Sequence, residues 1–211
     1  MKHILFDFDG TLFDTSTIVY HKLLDITTTQ AETPNWDQLR DLSSWQVLKT
    51  LQIPIFKLPS IKKSITSEIH NNLESIEIQK GISELIIELH RKNIELHILS
   101  SNSYENISEL LTLNNLEHYF SSINCASSLF GKSFDIRLFM KEKKISSSDL
   151  VFVGDETRDY RAAKKAKIRC YPVSWGYNSQ RAFKNITEQF VSSDTFELLN
   201  CLRLDNFVSD A

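Results

Sequence analysis

Three observations predict an α/β fold built on a doubly wound parallel sheet, with a helical insertion between its first two strands. The apolar run Ile4-Leu5-Phe6 is too short for a helix and too apolar for a loop, so it reads as a buried strand. From residue 96 onward, short apolar runs alternate with helical stretches at the spacing of βαβ units. Residues 15–80, lying between these regions, carry helical patterning only.

Taken in order, residues 18–26 read as one helix, 27–35 as a polar connection, and 36–51 as one or two short helices. Pro54 and Pro59 interrupt the pattern, because neither ring fits a helix interior. Ile61, Ile65, Ile69 and Leu73 then share one face, the mark of an amphipathic helix over 61–73. Gly81-Ile82 opens another helix that runs to about residue 92. Strands are expected at 96–99, 122–126, 150–153 and 169–173, and helices at 104–113, 134–144, 159–166 and 195–204. Of these strands 122–126 is the weakest and 150–153 the strongest. Trp36 and Trp45 are assigned to the core of the helical insertion.

A chain of 211 residues has room for one α/β domain and a modest insertion. Its 24 Lys and Arg nearly balance 27 Asp and Glu, which gives no electrostatic reason to expect nucleic acid or an anionic membrane. No apolar run approaches membrane-spanning length, and early charged residues leave no room for a signal peptide. Cys125, Cys170 and Cys201 lack CxxC spacing and sit in apolar stretches, so buried free thiols in a reducing, cytoplasmic setting are expected. In that setting the glycosylation-like runs Asn106-Ile107-Ser108 and Asn185-Ile186-Thr187 are accidental matches. The six histidines (3, 21, 70, 90, 97 and 118) have no ligand spacing and read as surface or satisfied core positions.

Ligands of open parallel sheets bind outside the carboxyl ends of the strands. Each notable polar cluster here falls at such an end. Ile4-Leu5-Phe6 delivers Asp7 and Asp9, His97-Ile98-Leu99 delivers Ser100-Ser101-Asn102, and Val151-Phe152-Val153 delivers Gly154-Asp155-Glu156-Thr157-Arg158-Asp159. Two acids at i and i+2 share a strand face and repel unless a cation or a shared proton compensates. The pair suits a carboxylate nucleophile beside a carboxylic acid that moves protons. Ser and Asn also cap helices, and Asp159 would complement a helix dipole. A Gly-Asp-Glu run straight off a buried strand has no comparable structural account.

The run Asp7-Phe8-Asp9-Gly10-Thr11-Leu12-Phe13-Asp14-Thr15 resembles motif I, DxDG[TV][LV], of the haloacid dehalogenase-like (HAD) hydrolase superfamily. Ser100-Ser101-Asn102 resembles its motif II, and Gly154-Asp155-x-x-x-Asp159 its motif IV. Lys132, in Phe130-Gly131-Lys132-Ser133, falls where the family places the motif III lysine, although many relatives have Gly-Lys-Pro where this chain has Ser133-Phe134. Asn114-Asn115-Leu116-Glu117-His118-Tyr119-Phe120 and Val173-Ser174-Trp175-Gly176-Tyr177 resemble the phosphoglycolate-phosphatase-like branch. The resemblance implies a Rossmann-like core, residues 1–14 and 81–211, with the motif I strand central, and an α-helical cap over residues 15–80.

It also implies a Mg2+-dependent phosphatase acting on a small phosphorylated metabolite, phosphoglycolate among the candidates. Asp7 would be the nucleophile, Asp9 the general acid and base, and Lys132 the neutralising cation. Ser101, with Ser100 as the alternative, would bond a phosphoryl oxygen, joined at the substrate by Thr11, Asn102 and Lys132. Mg2+ would be held by Asp7, the Asp9 backbone carbonyl and Asp155, with Asp159 a ligand or just behind one. The presence of Asp9 argues against dehalogenation, since dehalogenases lack the second acid. A phosphomutase of the same fold and a catalytically silent binding protein remain alternatives, and the oligomeric state stays open. The run Ala126-Ser127-Ser128-Leu129-Phe130-Gly131-Lys132-Ser133 differs from a P-loop only at its first glycine, yet Ala126 removes the backbone freedom that loop needs. A P-loop kinase would also leave Asp7 and Asp9 without a role.

Overall fold

The computed structural model describes residues 1–27, 34–126, 131–184 and 186–209. Most of the connection expected at 27–35, part of the P-loop-like run and Asn185 lie outside the described residues. Five strands, β1 (His3–Phe6), β2 (Glu95–Ser100), β3 (Phe120–Cys125), β4 (Leu150–Gly154) and β5 (Arg169–Pro172), pair in the order β3-β2-β1-β4-β5. All four pairings are parallel, so the sheet is α/β and doubly wound, with β1 at its centre. The five carboxyl ends therefore face one edge, and the ends of β2, β1 and β4 are immediate neighbours.

Strand alternation divides the core between the two faces. Ile4, Phe6, Leu96, Ile98, Val151 and Val153 pack on one side with α5 (Ile82–Arg91), α6 (Tyr104–Leu113) and α10 (Thr195–Leu204). Leu5, Leu99, Leu150 and Phe152 pack on the other with α7 (Lys132–Lys143) and α8 (Thr157–Ala166). Ile4, Leu5, Phe6 and Phe152 are fully buried. Each such side chain contributes about 1.5–3 kcal/mol by leaving water.

The segment between β1 and β2 is helical, as its patterning predicts. It holds α1 (Ser16–Ile26), α2 (Trp36–Arg40), α3 (Ser44–Thr50) and α4 (Leu58–Asn71). Asn35 with Gln38, and Ser43 with Gln46, form capping boxes that start α2 and α3. Pro59 is tolerated because it occupies the first turn of α4, where a backbone N–H has no helical partner. Ile61 and Ile69 are buried, and the stripe ends on Leu73 in a short 3-10 turn. Leu39, Leu51, Ile53 and Ile61 make a small core of their own, with Trp36 packed against it. The segment leaves and rejoins the sheet side by side, through Asp14 N–H to Glu77 O at 2.9 Å and Gln79 N–H to Leu12 O at 2.9 Å.

Two expectations are corrected. Trp45 is 59% exposed and fills no core, because the first turn of α3 turns it outward. Cys125 is also exposed, at the last residue of β3, whereas Cys170 is buried and Cys201 half-buried. All three are free thiols. Asn106 is buried and hydrogen-bonded, consistent with an accidental glycosylation match. No helix among the described residues is long and apolar enough to cross a membrane.

Candidate active site

β1 ends at Phe6, one residue before the first acid. The ladder is continued only by Asp7 N–H, which donates to Val153 O at 2.8 Å. The chain then folds back on itself: Leu12 and Phe13 N–H both donate to Phe8 O, and Gly10 N–H donates to Phe13 O. Stacked Phe8 and Phe13 rings, with centroids 4.9 Å apart, fix this loop from beneath. Asp7 and Asp9 are thus not neighbours on one strand face, as their spacing suggests. Each is held in its own set of partners.

Asp7 faces the cluster built by β4 and α7. Its Oδ2 lies 2.9 Å from Lys132 Nζ, which also donates to Asp159 Oδ1 at 2.6 Å. The carboxylates of Asp7, Asp155 and Asp159 are all buried and offer oxygens within 4.8 Å of one another. Burial, with Asp159 adding to it, pushes Asp7 up to about 7 despite Lys132. Burial and the nearby Asp7, Glu156 and Asp159 hold Asp155 well above the usual carboxylate range. For Lys132 burial acts the other way, but Asp159 and Asp7 outweigh it and hold the ammonium charged. Three buried carboxyl groups share one ammonium in direct contact, and an all-oxygen donor set fits a hard divalent cation.

Asp155 is fixed from two sides, by Thr11 Oγ1 at 2.7 Å and by Tyr177 N–H at 2.6 Å. Glycine is needed where the chain passes this carboxylate. Gly10 has φ of +80°, and a Cβ on either Gly10 or Gly176 would collide with Asp155 Oδ2. Asp159 does two jobs: Oδ2 accepts Glu156 N–H at 3.2 Å and caps α8, while Oδ1 takes Lys132. Helix capping and a place in the charged cluster are compatible roles for this side chain.

Asp9 has a separate cradle. Its carboxyl accepts from Thr15 Oγ1 at 3.1 Å, Asn102 Nδ2 at 3.0 Å and Ser100 Oγ at 3.4 Å. Burial raises its pKa, and those three hydrogen bonds only partly oppose the rise. A carboxyl whose pKa is raised in this way is the better suited to a proton-transfer role.

Of the other expected site residues, Ser101 sits half-buried, with no side-chain hydrogen bond among the described residues. Ser100 is fully buried; it holds Asp9 and accepts Asn102 N–H at 3.0 Å. In this geometry Thr11 and Asn102 are engaged with Asp155 and Asp9, so they support carboxylates.

Several contributors went unassigned in the sequence. Arg158 is close enough to lower the pKa of both Asp7 and Asp9, and it pairs with Glu156 Oε1 at 2.5 Å. Ser44 Oγ, at the start of α3, donates to the other oxygen of Glu156 at 2.7 Å. Arg40 of α2 donates to the carbonyls of Gly176 at 3.0 Å and Ser174 at 2.6 Å. Tyr177 OH lies 2.6 Å from Thr15 Oγ1. Arg158 and Tyr177 stand inside runs that the sequence already singles out. Arg40 carries no local signal, because its partners lie 134 and 136 residues away.

Known proteins resemble this chain along most of its length. A phosphoglycolate phosphatase of Synechococcus elongatus is 26% identical over 186 residues, covering 86% of this chain and 88% of that protein. One from Vibrio cholerae is 21% identical, covering 94% and 96%. A crystal structure described as a predicted phosphatase from Clostridium acetobutylicum superposes with a TM-score of 0.79 at 21% identity, covering 95% of this chain and 97% of that one, and shares the fold. The sequence profile of haloacid dehalogenase-like hydrolases matches residues 4–173, from the first residues of β1 to just past β5, and the chain therefore belongs to that family.

Proposed function

We propose that the protein is a Mg2+-dependent phosphatase that hydrolyses a small phosphomonoester through an aspartyl-phosphate on Asp7. The observation that carries this reading is the division of labour between the two acids. Asp7 stands among Asp155, Asp159 and Lys132, while Asp9 is held apart with a raised pKa. Asp7, Asp155 and the Asp9 carbonyl would hold the cation, with Asp159 beside them. When bound, it would supply neutralisation of the phosphate charge and of charge developing on the transferred group.

The chain's own residues account for the proton transfers. The Asp7 carboxylate attacks phosphorus in line, and the P–O bond to the leaving group breaks as Asp9 gives its proton to the departing alkoxide. Asp9, now a carboxylate, takes a proton from water. The resulting hydroxide attacks the acyl-phosphate, releasing phosphate and restoring Asp7. Lys132 would balance charge on Asp7 throughout, and the hydroxyl of Ser101 would bond a phosphoryl oxygen.

Residues 15–80 form the cap in this reading and residues 1–14 with 81–211 the catalytic core. Phosphoglycolate is the first substrate to try, since the relatives above carry that activity in their names. Three free thiols favour a reducing, cytoplasmic setting. The test is hydrolysis of p-nitrophenyl phosphate and a phosphometabolite panel, with Mg2+ and with chelator. Mg2+-dependent phosphate release is expected, and no release from any member of the panel would refute the reading.

A further inference from the structure

A second group of metal-type donors lies at the opposite edge of the sheet. His3 opens β1 and Glu95 opens β2, and the two are direct partners in the parallel register, with His97 two residues along β2 on the same face. The spacing of the histidines in the sequence gives no hint of this, since 94 residues separate them. His3 Nδ1 and His97 Nε2 are 3.2 Å apart, and Glu95 Oε2 lies 3.6 Å from the first and 3.7 Å from the second.

Ligands bonded to a tetrahedral zinc at about 2.0–2.1 Å stand roughly 3.3–3.4 Å apart, and the three separations here all lie within about 0.4 Å of that spacing. The other ring nitrogen of His97, Nδ1, is 2.9 Å from Ser122 Oγ on β3, which fixes the ring in the manner of an outer-shell partner. Phe139 of α7 stacks edge-on against the same ring at 4.9 Å. The His97 side chain is 1% exposed, while His3 and Glu95 reach solvent at 13% and 39%, leaving an outward side for a water or fourth ligand.

We infer that His3, Glu95 and His97 form a binding site for a tetrahedral divalent transition metal, Zn2+ by preference. Two imidazoles and one carboxylate select Zn2+ over Mg2+, whereas the carboxylate cluster at the other edge does the reverse. Without metal, one ring's N–H bridges the two ring nitrogens; the metal takes its place, and that ring adopts the tautomer with its proton on the other nitrogen, so no net proton leaves the pair. The bound ion clamps the starting ends of β1 and β2, whose far ends deliver Asp7 and Ser101. Four residues of strand, roughly 13 Å, separate it from Asp7, so it stabilises the sheet without touching that carboxylate.

The experiment titrates the full chain with Zn2+ calorimetrically and with Co2+ by visible absorption, with Mg2+ in large excess to occupy the carboxylates. Wild type is expected to bind one equivalent, to give tetrahedral Co2+ bands, and to melt at higher temperature with Zn2+. Glu95→Gln and His3→Gln, both at partly exposed positions, should weaken binding tenfold or more and lose the Co2+ bands while keeping the metal-free melting behaviour. Absence of binding to wild type, or titrations and spectra unchanged in both variants, would overturn the assignment.

Discussion

The ammonium of Lys132 lies 2.9 Å from Oδ2 of Asp7, at the first residue of α7 and the end of the central strand. It makes a second contact, 2.6 Å to Asp159, and its Nζ sits 5.2 Å from the Phe152 ring centroid. One cation therefore ties together the carboxyl ends of β1 and β4. It keeps the Asp7 oxygen aimed into the cluster.

Asp7→Asn should abolish turnover without unfolding the protein, because the amide keeps the shape but is no nucleophile. We expect kcat to fall about a thousandfold or more, with the circular dichroism spectrum retained. More than a tenth of wild-type activity would remove Asp7 from the nucleophile's role.

The two other acids should separate by assay. Asp9→Asn should bind Mg2+ as wild type does and turn over poorly, since its side chain faces Thr15, Asn102 and Ser100, away from the carboxylate cluster. Asp155→Ala should raise the Mg2+ concentration for half-maximal activity. Identical Mg2+ titrations for the two variants would contradict this division.

Stability in the metal-free protein should carry the sign of the Asp7 shift. Its carboxyl is raised from 3.8 to about 7, chiefly by burial, so the folded state holds the proton longer than the unfolded chain. The group is therefore neutral to stability below about pH 4, lowers stability progressively as pH rises to about 7, and keeps it lowered by the full amount above that. In chelator, Asp7→Asn should gain on wild type between pH 4 and 7 by at most a few kcal/mol, and then level off. Denaturation curves that stay parallel across that range would disprove it.

Gly176→Ala should damage the Asp155 site without touching any charge. The new Cβ would collide with Asp155 Oδ2 and stand 2.5 Å from the Gly10 carbonyl, and neither the buried carboxylate nor the backbone can yield cheaply. Mg2+ affinity should drop by about tenfold or more, by analogy with the loss of an outer-shell partner. Unchanged affinity would mean that the loop relaxes freely.

Arg40 is where the cap would be latched. Its guanidinium holds the carbonyls of Ser174 and Gly176, and Asn178 Nδ2 returns bonds to the carbonyls of Arg40 and Leu42. If residues 15–80 move as a lid, Arg40→Ala should open it, raising KM severalfold and enlarging the radius of gyration without a phosphate mimic. Fluoroberyllate should reclose the wild type more fully than the variant. Identical scattering in every state, together with equal cleavage of phosphoproteins and small esters, would show a rigid cover instead.

What the sequence determines by itself is what local physics controls. Apolar period and length locate β1 and β4, and the bounds of α6 and α10 are those the sequence predicts. The strand-end clusters bring Asp7, Asp9, Ser100, Asn102 and Asp155 to one edge, because parallel sheets gather their carboxyl ends. Tertiary structure decides the rest. That β1 stops at Phe6, so that Asp7 and Asp9 part company, depends on the loop folding over Phe8 and Phe13. That Trp45 faces water while Trp36 packs inward depends on how two short helices dock. The pairings of Lys132 with Asp7, Arg40 with Gly176, and His3 with Glu95 and His97 depend on register and packing across scores of residues. Local propensity cannot encode such pairings, because the free energy of a long-range contact exists only once the chain between its partners has folded.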